Sequence, residues 1–244
     1  MSFWPEGCFR ENHVLVVGGT SGIGAAIARA FLDEGADVTV TGVTDAEIDA
    51  APTDIPKATA VKLDVRDDDG VQELIAGFSR LDHVVNCAGI IRRSEELDSG
   101  VFAQVVDINL NGSMRVCAAA RPRLAERGGT ITNTASMLSF FGGGLVPGYS
   151  ASKGGIAQLT KSLALAYAAD GIRVNAIAPG WIATPLTKQL REDETRNRAI
   201  LDRTALKRWG EPHELAGGVL YFASPLASYV TGSVLVIDGG YLVT

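Results

Sequence analysis

The sequence predicts an α/β fold in one domain over residues 1–244, a parallel sheet with helices on both faces. Three observations predict it. Short apolar runs alternate with helical patterns along the whole chain, the arrangement that joins parallel strands through helical crossovers. The first apolar run breaks into a glycine-rich turn before the first helix. No Pro/Ser-rich linker divides the 244 residues, a length sufficient for one full core.

The first strand is His13–Val17, and Gly18-Gly19-Thr20-Ser21-Gly22-Ile23-Gly24 follows it. A helical pattern then carries Ile27, Phe31 and Leu32 on one side. Glycines at such a turn let backbone N–H groups approach a pyrophosphate, and the helix N-terminus adds its dipole. The spacing is G-x-x-x-G-x-G rather than G-x-G-x-x-G, so a plain tight turn is the alternative. Residues 36–41 and 59–63 read as strands and 71–78 as a helix. A short strand at 84–86 ends in Asn86-Cys87-Ala88-Gly89. One long helical pattern covers 99–127, residues 130–133 form a strand, and 149–169 make an alanine-rich helix. Residues 173–178 form a strand before Pro179-Gly180, 213–224 are helical, and Val234–Ile237 closes the sheet before Asp238-Gly239-Gly240.

The composition, 46% hydrophobic and 20% charged, excludes a disordered chain. The 28 glycines suggest many tight turns or close backbone approaches to a ligand. A net charge of -6 without a basic run argues against nucleic acid or an anionic membrane surface as partner. Cys8, Cys87 and Cys117 have no metal-ligand spacing and are odd in number, which favours a reduced, cytoplasmic setting with no metal. Residues 1–7 lack the basic and apolar regions of a secretory signal, and no apolar run approaches a bilayer span.

Chemistry concentrates between Ser136 and Lys153. If a helix begins near Tyr149, Tyr149 and Lys153 stand at i and i+4 on one face. A tyrosine ordinarily ionises near pH ~10, and a neighbouring lysine favours the phenolate that a general base requires. A solvated helical pair is the alternative reading of this spacing alone.

Taken together, the glycine turn, Asn86-Cys87-Ala88-Gly89, Asn109, Ser136, Tyr149-x-x-x-Lys153, Pro179-Gly180 and Asp238-Gly239-Gly240 resemble the short-chain dehydrogenase/reductase family from end to end. The resemblance implies a Rossmann-type sheet of about seven strands and a nicotinamide-dependent oxidoreductase acting on CH–OH groups. Ser136 would hold the substrate oxygen and Tyr149 would exchange its proton. Lys153 would bind the nicotinamide ribose and lower the Tyr149 pKa, and Asn109 would support a water relay. The dinucleotide would lie against Gly18, Thr20, Ser21, Gly22, Ile23 and Gly24, then Val43, Asp64 and Val65, then Asn86, Ala88 and Gly89, Tyr149 and Lys153. Pro179, Gly180, Ile182 and Thr184 would complete its site, Thr184 at the nicotinamide carboxamide. A homotetramer is implied as well. Val17 and Cys87 stand where the family usually has threonine and asparagine, and small effects on rigidity are expected from them.

Cofactor choice falls at Thr41-Gly42-Val43-Thr44. Neither an aspartate for a ribose 2′-OH nor an arginine for a 2′-phosphate is present there, and NAD is expected over NADP, which stays open. Gly89-Ile90-Ile91-Arg92-Arg93, the run from Ser136, and the stretch through Arg208-Trp209-Gly210 resemble the branch of the family that acts on sugar acids such as deoxygluconates. Arg92 and Arg93 could fork onto a substrate carboxylate, or be solvated loop residues near Glu95 and Glu96; Trp181 is a further candidate contact. Residues 181–207 read as a lid or as a surface helical excursion. The stripe Ile156, Leu159, Leu163, Ala166 and Tyr167 is either core or a subunit interface. Reduction of a 3-oxoacyl carrier protein remains the alternative activity, and a non-catalytic dinucleotide-binding protein the third.

Overall fold

The structure, a computed structural model, describes residues 7–244, so the N-terminal residues 1–6 read above for a signal lie outside the described residues. Seven parallel strands form one sheet in the order β3-β2-β1-β4-β5-β6-β7. They are β1 (His13–Val17), β2 (Asp37–Gly42), β3 (Thr59–Lys62), β4 (His83–Asn86), β5 (Thr130–Thr134), β6 (Arg173–Pro179) and β7 (Val234–Ile237). β1 sits centrally, pairing Val14 with Val38 on one side and with His83 on the other. Its residues Val14 to Val17 are almost wholly buried, as a parallel strand covered on both faces must be.

Two apolar layers account for that burial. On one face α1 (Gly22–Asp33) and α9 (His213–Ala223) bring Ile27, Phe31, Leu215 and Val219 onto the sheet. On the other, α3 (Asp68–Ala76), α5 (Gly112–Ala125) and α6 (Pro147–Ala166) supply Val71, Ile75, Val116, Leu124 and Leu163. Each such side chain contributes about 1.5–3 kcal/mol through the water it leaves. Ile156, Leu163 and Tyr167 of the alanine-rich helix are buried within the chain while Ala166 is exposed, so the stripe is mostly core.

Two elements depart from the sequence expectation. The short helix α2 (Asp45–Asp54) had no counterpart, because it carries Pro52 and buries only Ala51; a capping box between Thr44 and Glu47 starts it. The pattern over 99–127 is not one helix. α4 (Ser99–Val106) passes through a π turn at Asp107–Asn111 before α5 begins. Within that turn the Asn109 carbonyl accepts the Ser113 hydroxyl at 2.9 Å, while the Asn109 side chain is drawn out of the helix to Ile90, the kind of local distortion associated with functional positions. The stretch after Trp181 folds into α7 (Lys188–Glu192) and α8 (Glu194–Arg203).

Strand order reverses between β1 and β4, so their carboxyl ends open a crevice at the point where ligands bind in such sheets. The remaining site elements converge there.

Candidate active site

Ser136 follows β5 and caps the turn Met137–Ser139, its Oγ accepting the Leu138 N–H at 3.2 Å. Ser139 ties this turn to the next helix by accepting the Ser136 N–H at 3.2 Å and donating to the Lys153 carbonyl at 2.6 Å. Tyr149 and Lys153 lie one turn apart on α6, with the Lys153 Nζ 5.5 Å from the Tyr149 ring centroid. Asn109 closes the cluster. Its Nδ2 donates to the Ile90 carbonyl at 3.0 Å and to the Ser152 Oγ at 3.1 Å, and that hydroxyl donates to the Tyr149 carbonyl at 2.8 Å. All four residues expected to be catalytic therefore share one hydrogen-bonded unit.

Burial dominates the electrostatics. It raises the Tyr149 phenol above its ordinary value, a hydrogen bond with Ser136 lowers it, and the negative charge of Glu96 raises it. Burial also brings the Lys153 ammonium down to about 8, with the Cys87 thiol opposing that change. Lys153 donates one N–H to the Thr134 carbonyl at 2.6 Å, and its charge lies 5.5 Å from the Tyr149 ring centroid, close enough to favour the phenolate through space.

The crevice beside this cluster is cut for a dinucleotide. Gly18 has φ +74°, and a Cβ there would lie 2.6 Å from the Ala88 nitrogen, so the β1 and β4 ends meet backbone to backbone. Its N–H is received by the Thr41 hydroxyl at 3.1 Å, a polar contact supplied by β2 although Val17 itself is apolar core. Ser21 makes no side-chain cap on α1, and no acidic residue occupies the first turn. Those N–H groups suit a pyrophosphate, and the aligned peptide dipoles favour its charge. Thr184 packs opposite Gly22, where a Cβ would find its side chain 3.6 Å away. Ile23, Pro179, Gly180, Ile182 and Thr184 line the cavity that also exposes Ser136 and Tyr149. Asn86 and Gly89 underlie it. Asn86 is buried and donates to Asn133 Oδ1 at 2.9 Å while its own Oδ1 is unpartnered, and a Cβ on Gly89 would stand 3.2 Å from Asn109 Oδ1. The residues present fit a nicotinamide dinucleotide.

Known proteins agree with this geometry. The family model for enoyl-(acyl carrier protein) reductase matches residues 17–242. The chain is 40% identical over 237 residues to the 2-dehydro-3-deoxy-D-gluconate 5-dehydrogenase of Bacillus subtilis (strain 168), with 93% of each chain covered. The chain belongs to the short-chain dehydrogenase/reductase family. It is likewise 37% identical to the 3-oxoacyl-[acyl-carrier-protein] reductase of Chlamydia muridarum over 93% of this chain and 95% of that one. A crystal structure from Agrobacterium tumefaciens, described as a 2-deoxy-D-gluconate 3-dehydrogenase with bound NADP, superposes with a TM-score of 0.88 at 39% identity. That superposition covers 98% of this chain and 99% of the other. The protein is thus a nicotinamide-dependent oxidoreductase of CH–OH groups.

At the substrate end of this dehydrogenase the two candidate arginines separate. Arg93 lines the cavity of about 120 Å³ that holds Ser136 and Tyr149, together with Leu186, Thr187 and Leu190 from the 181–207 segment. Burial and the nearby Arg196 both push its guanidinium pKa down, and it forms no ion pair among the described residues. Arg92 is exposed and does not line that cavity. Trp181 reaches the cavity wall, but its indole N–H is enclosed without a partner, between edge-on contacts to Trp209 and Tyr241.

At the ribose end Val43 is exposed, Val65 is buried in the core, and the Asp64 carboxylate is taken by Arg66 at 2.6 Å. Reading the sequence alone missed three residues: Thr134, whose carbonyl holds Lys153; Glu47, whose carboxylate accepts the Val43 and Thr44 N–H groups at 2.7 and 2.8 Å; and Glu96, buried and bonded to the Tyr149 N–H at 2.7 Å. The spacing Thr44-x-x-Glu47 was a readable capping signal. Nothing local marks the other two.

Proposed function

We propose that the protein interconverts a secondary alcohol and a ketone in a small sugar acid such as a deoxygluconate, with NAD as the preferred partner. One observation carries the reading: Arg93, without a carboxylate partner among the described residues, borders the cavity that holds Ser136 and Tyr149. A guanidinium left this way in a partly buried wall suits a planar anion, which it can grip with two parallel hydrogen bonds. Ser136 holds the reacting oxygen and Tyr149 takes its proton during oxidation, returning it during reduction. When bound in the crevice, NAD would supply the hydride acceptor for the carbinol carbon. Lys153 positions the cofactor ribose, Asn109 supports proton exit through water, and 181–207 closes over the substrate so that these groups act away from bulk water.

NAD is favoured by Glu47. Its carboxylate already occupies the two N–H groups at the end of β2, near where a 2′-phosphate would bring a second negative charge. The Agrobacterium relative holds NADP, so this is a choice within the family. The free thiols Cys8, Cys87 and Cys117 support a reduced, cytoplasmic setting, and the family resemblance favours a homotetramer; Leu165, 83% exposed on α6, offers apolar surface for such contacts.

A turnover screen with NAD and NADP tests the reading against deoxygluconates, uronates, neutral polyols and acetoacetyl thioesters. Sugar acids with NAD should give the highest kcat/KM. A preference for the thioester with NADPH would instead assign the chain to carrier-protein reduction.

A further inference from the structure

Glu96 is only 1% exposed, yet it is acidic and makes no ion pair among the described residues. A carboxylate removed from water in this way costs several kcal/mol unless its oxygens are met. Both are met by backbone. Oε1 accepts the Arg92 N–H and Oε2 the Tyr149 N–H, each at 2.7 Å.

The second bond is informative because of where it falls. Tyr149 is in the first turn of α6, whose preceding residue Val146 provides no side-chain cap, so its N–H is one of those a helix leaves unpaired. Glu96 supplies the missing acceptor from 53 residues earlier and adds a negative charge at the positive end of the helix. The approach is close. A Cβ on Gly148 would lie 3.3 Å from Glu96 Oε2 and from the Phe102 backbone. Ser94, between Arg93 and Glu96, takes φ +69° and donates to the Leu145 carbonyl at 2.7 Å. A non-glycine residue in that region is strained, so the loop is held in shape by its contacts with 145–149.

Resting on the reading of Tyr149 as the proton carrier, we infer that Glu96 is a positioning residue that clamps the arginine loop to the first turn of α6 and sets the charge beside Tyr149. The groups facing Tyr149 are Glu96 from the 95–97 turn, the Ser136 hydroxyl from the end of β5, Lys153 from its own helix, and Arg93 across the cavity; Cys87 of the β4 end faces Lys153. Glu96 is the one negative member, and it keeps the phenol protonated to higher pH. Through Arg92 the same carboxylate fixes the loop that presents Arg93.

The test compares E96Q, which removes the charge at constant length, with E96D, which keeps the charge and shortens the reach. E96Q should lower kcat roughly tenfold through misplacement of the tyrosine, raise KM for a sugar acid, and move the acid limb of oxidation to lower pH. E96D should lower kcat while leaving that limb in place. Equal losses in both variants with unmoved limbs would make Glu96 a structural residue and overturn the proposal. Tyrosinate absorbance of the whole protein, read against Tyr149→Phe, follows the same ionisation without substrate, so the inference is decided even if sugar acids are not turned over. Should E96Q fail to fold, wild-type kcat and KM in E96D would still refute the clamp.

Discussion

The cluster on α6 and the segment 181–207 face each other across one cavity and are built in opposite ways. Ser136, Lys153 and Asn109 are nearly inaccessible; Lys153 and Asn109 bond to other elements, and Ser136 is fixed in a turn that Ser139 ties to the Lys153 carbonyl. The facing segment is two short helices with surface ion pairs, Lys188–Glu192 at 3.8 Å and Arg198–Asp202 at 3.8 Å, and an exposed Leu186. Such pairs contribute little, and the segment is tied to the rest of the chain near its ends, by the Ala183 N–H to the Gly210 carbonyl at 2.8 Å and the Leu206 N–H to the Gly239 carbonyl at 3.0 Å. Buried hydrogen bonds fix the side that carries Ser136, Tyr149 and Lys153, whereas the facing side presents exposed, charged helices to the same cavity.

Tyr149→Phe should break the rigid side most severely. The ring stays and the transferable proton is lost, so kcat should fall by roughly a thousandfold with cofactor affinity kept. Stopped-flow turnover beside cofactor titration measures both, and near wild-type kcat would remove Tyr149 from the mechanism.

The sheet beneath the rigid side should respond to acid. His83 is buried between Phe9, Phe31 and the Thr130 hydroxyl, and burial lowers its pKa to about 4. Folded, it stays neutral; unfolded, it takes a proton below about 6.5. Its contribution is therefore full above that value and is lost as pH falls toward 4, on the order of 3 kcal/mol in all. Urea unfolding at pH 7 and pH 4.5 should differ accordingly, and His83→Phe should flatten the difference. An equal slope in that variant would assign the acid sensitivity elsewhere.

In the loop that Glu96 holds against α6, Arg93→Ala should raise KM for a sugar acid by roughly ten- to a hundredfold, the equivalent of a charge-assisted contact of ~1.5–3 kcal/mol. A neutral polyol should be almost indifferent, and Arg92→Ala should behave as wild type on both. Equal damage to the polyol would turn the effect into one of stability.

The smallest expected change tests the ribose end. Val43→Arg together with Glu47→Ala should shift the NAD to NADP ratio of kcat/KM by about tenfold toward NADP, since a cation replaces a carboxylate near the 2′ position. A parent enzyme already favouring NADP by that factor would refute the NAD preference.

Periodicity explains what could be read in advance. Strands in parallel sheets are continuous apolar runs and crossover helices repeat every three to four residues, so the seven strands were legible and only their ends moved by a residue or so. α2 escaped because a helix that buries one alanine leaves no apolar stripe. The break at Asn109 escaped because a π turn depends on partners at Ile90 and Ser152, 19 and 43 residues away.

By itself the sequence determined the sheet, the glycine turn and the set Ser136, Tyr149 and Lys153, since these follow from local spacing and from motifs that keep their order. Tertiary structure alone decided that Arg93 rather than Arg92 reaches the cavity and that Glu96 caps the first turn of α6. The physical reason is distance along the chain. Which face a residue of a strand or helix presents is set by its immediate neighbours, whereas a buried carboxylate can be placed only when two segments 53 residues apart are folded against each other, and no pattern within either segment records the other.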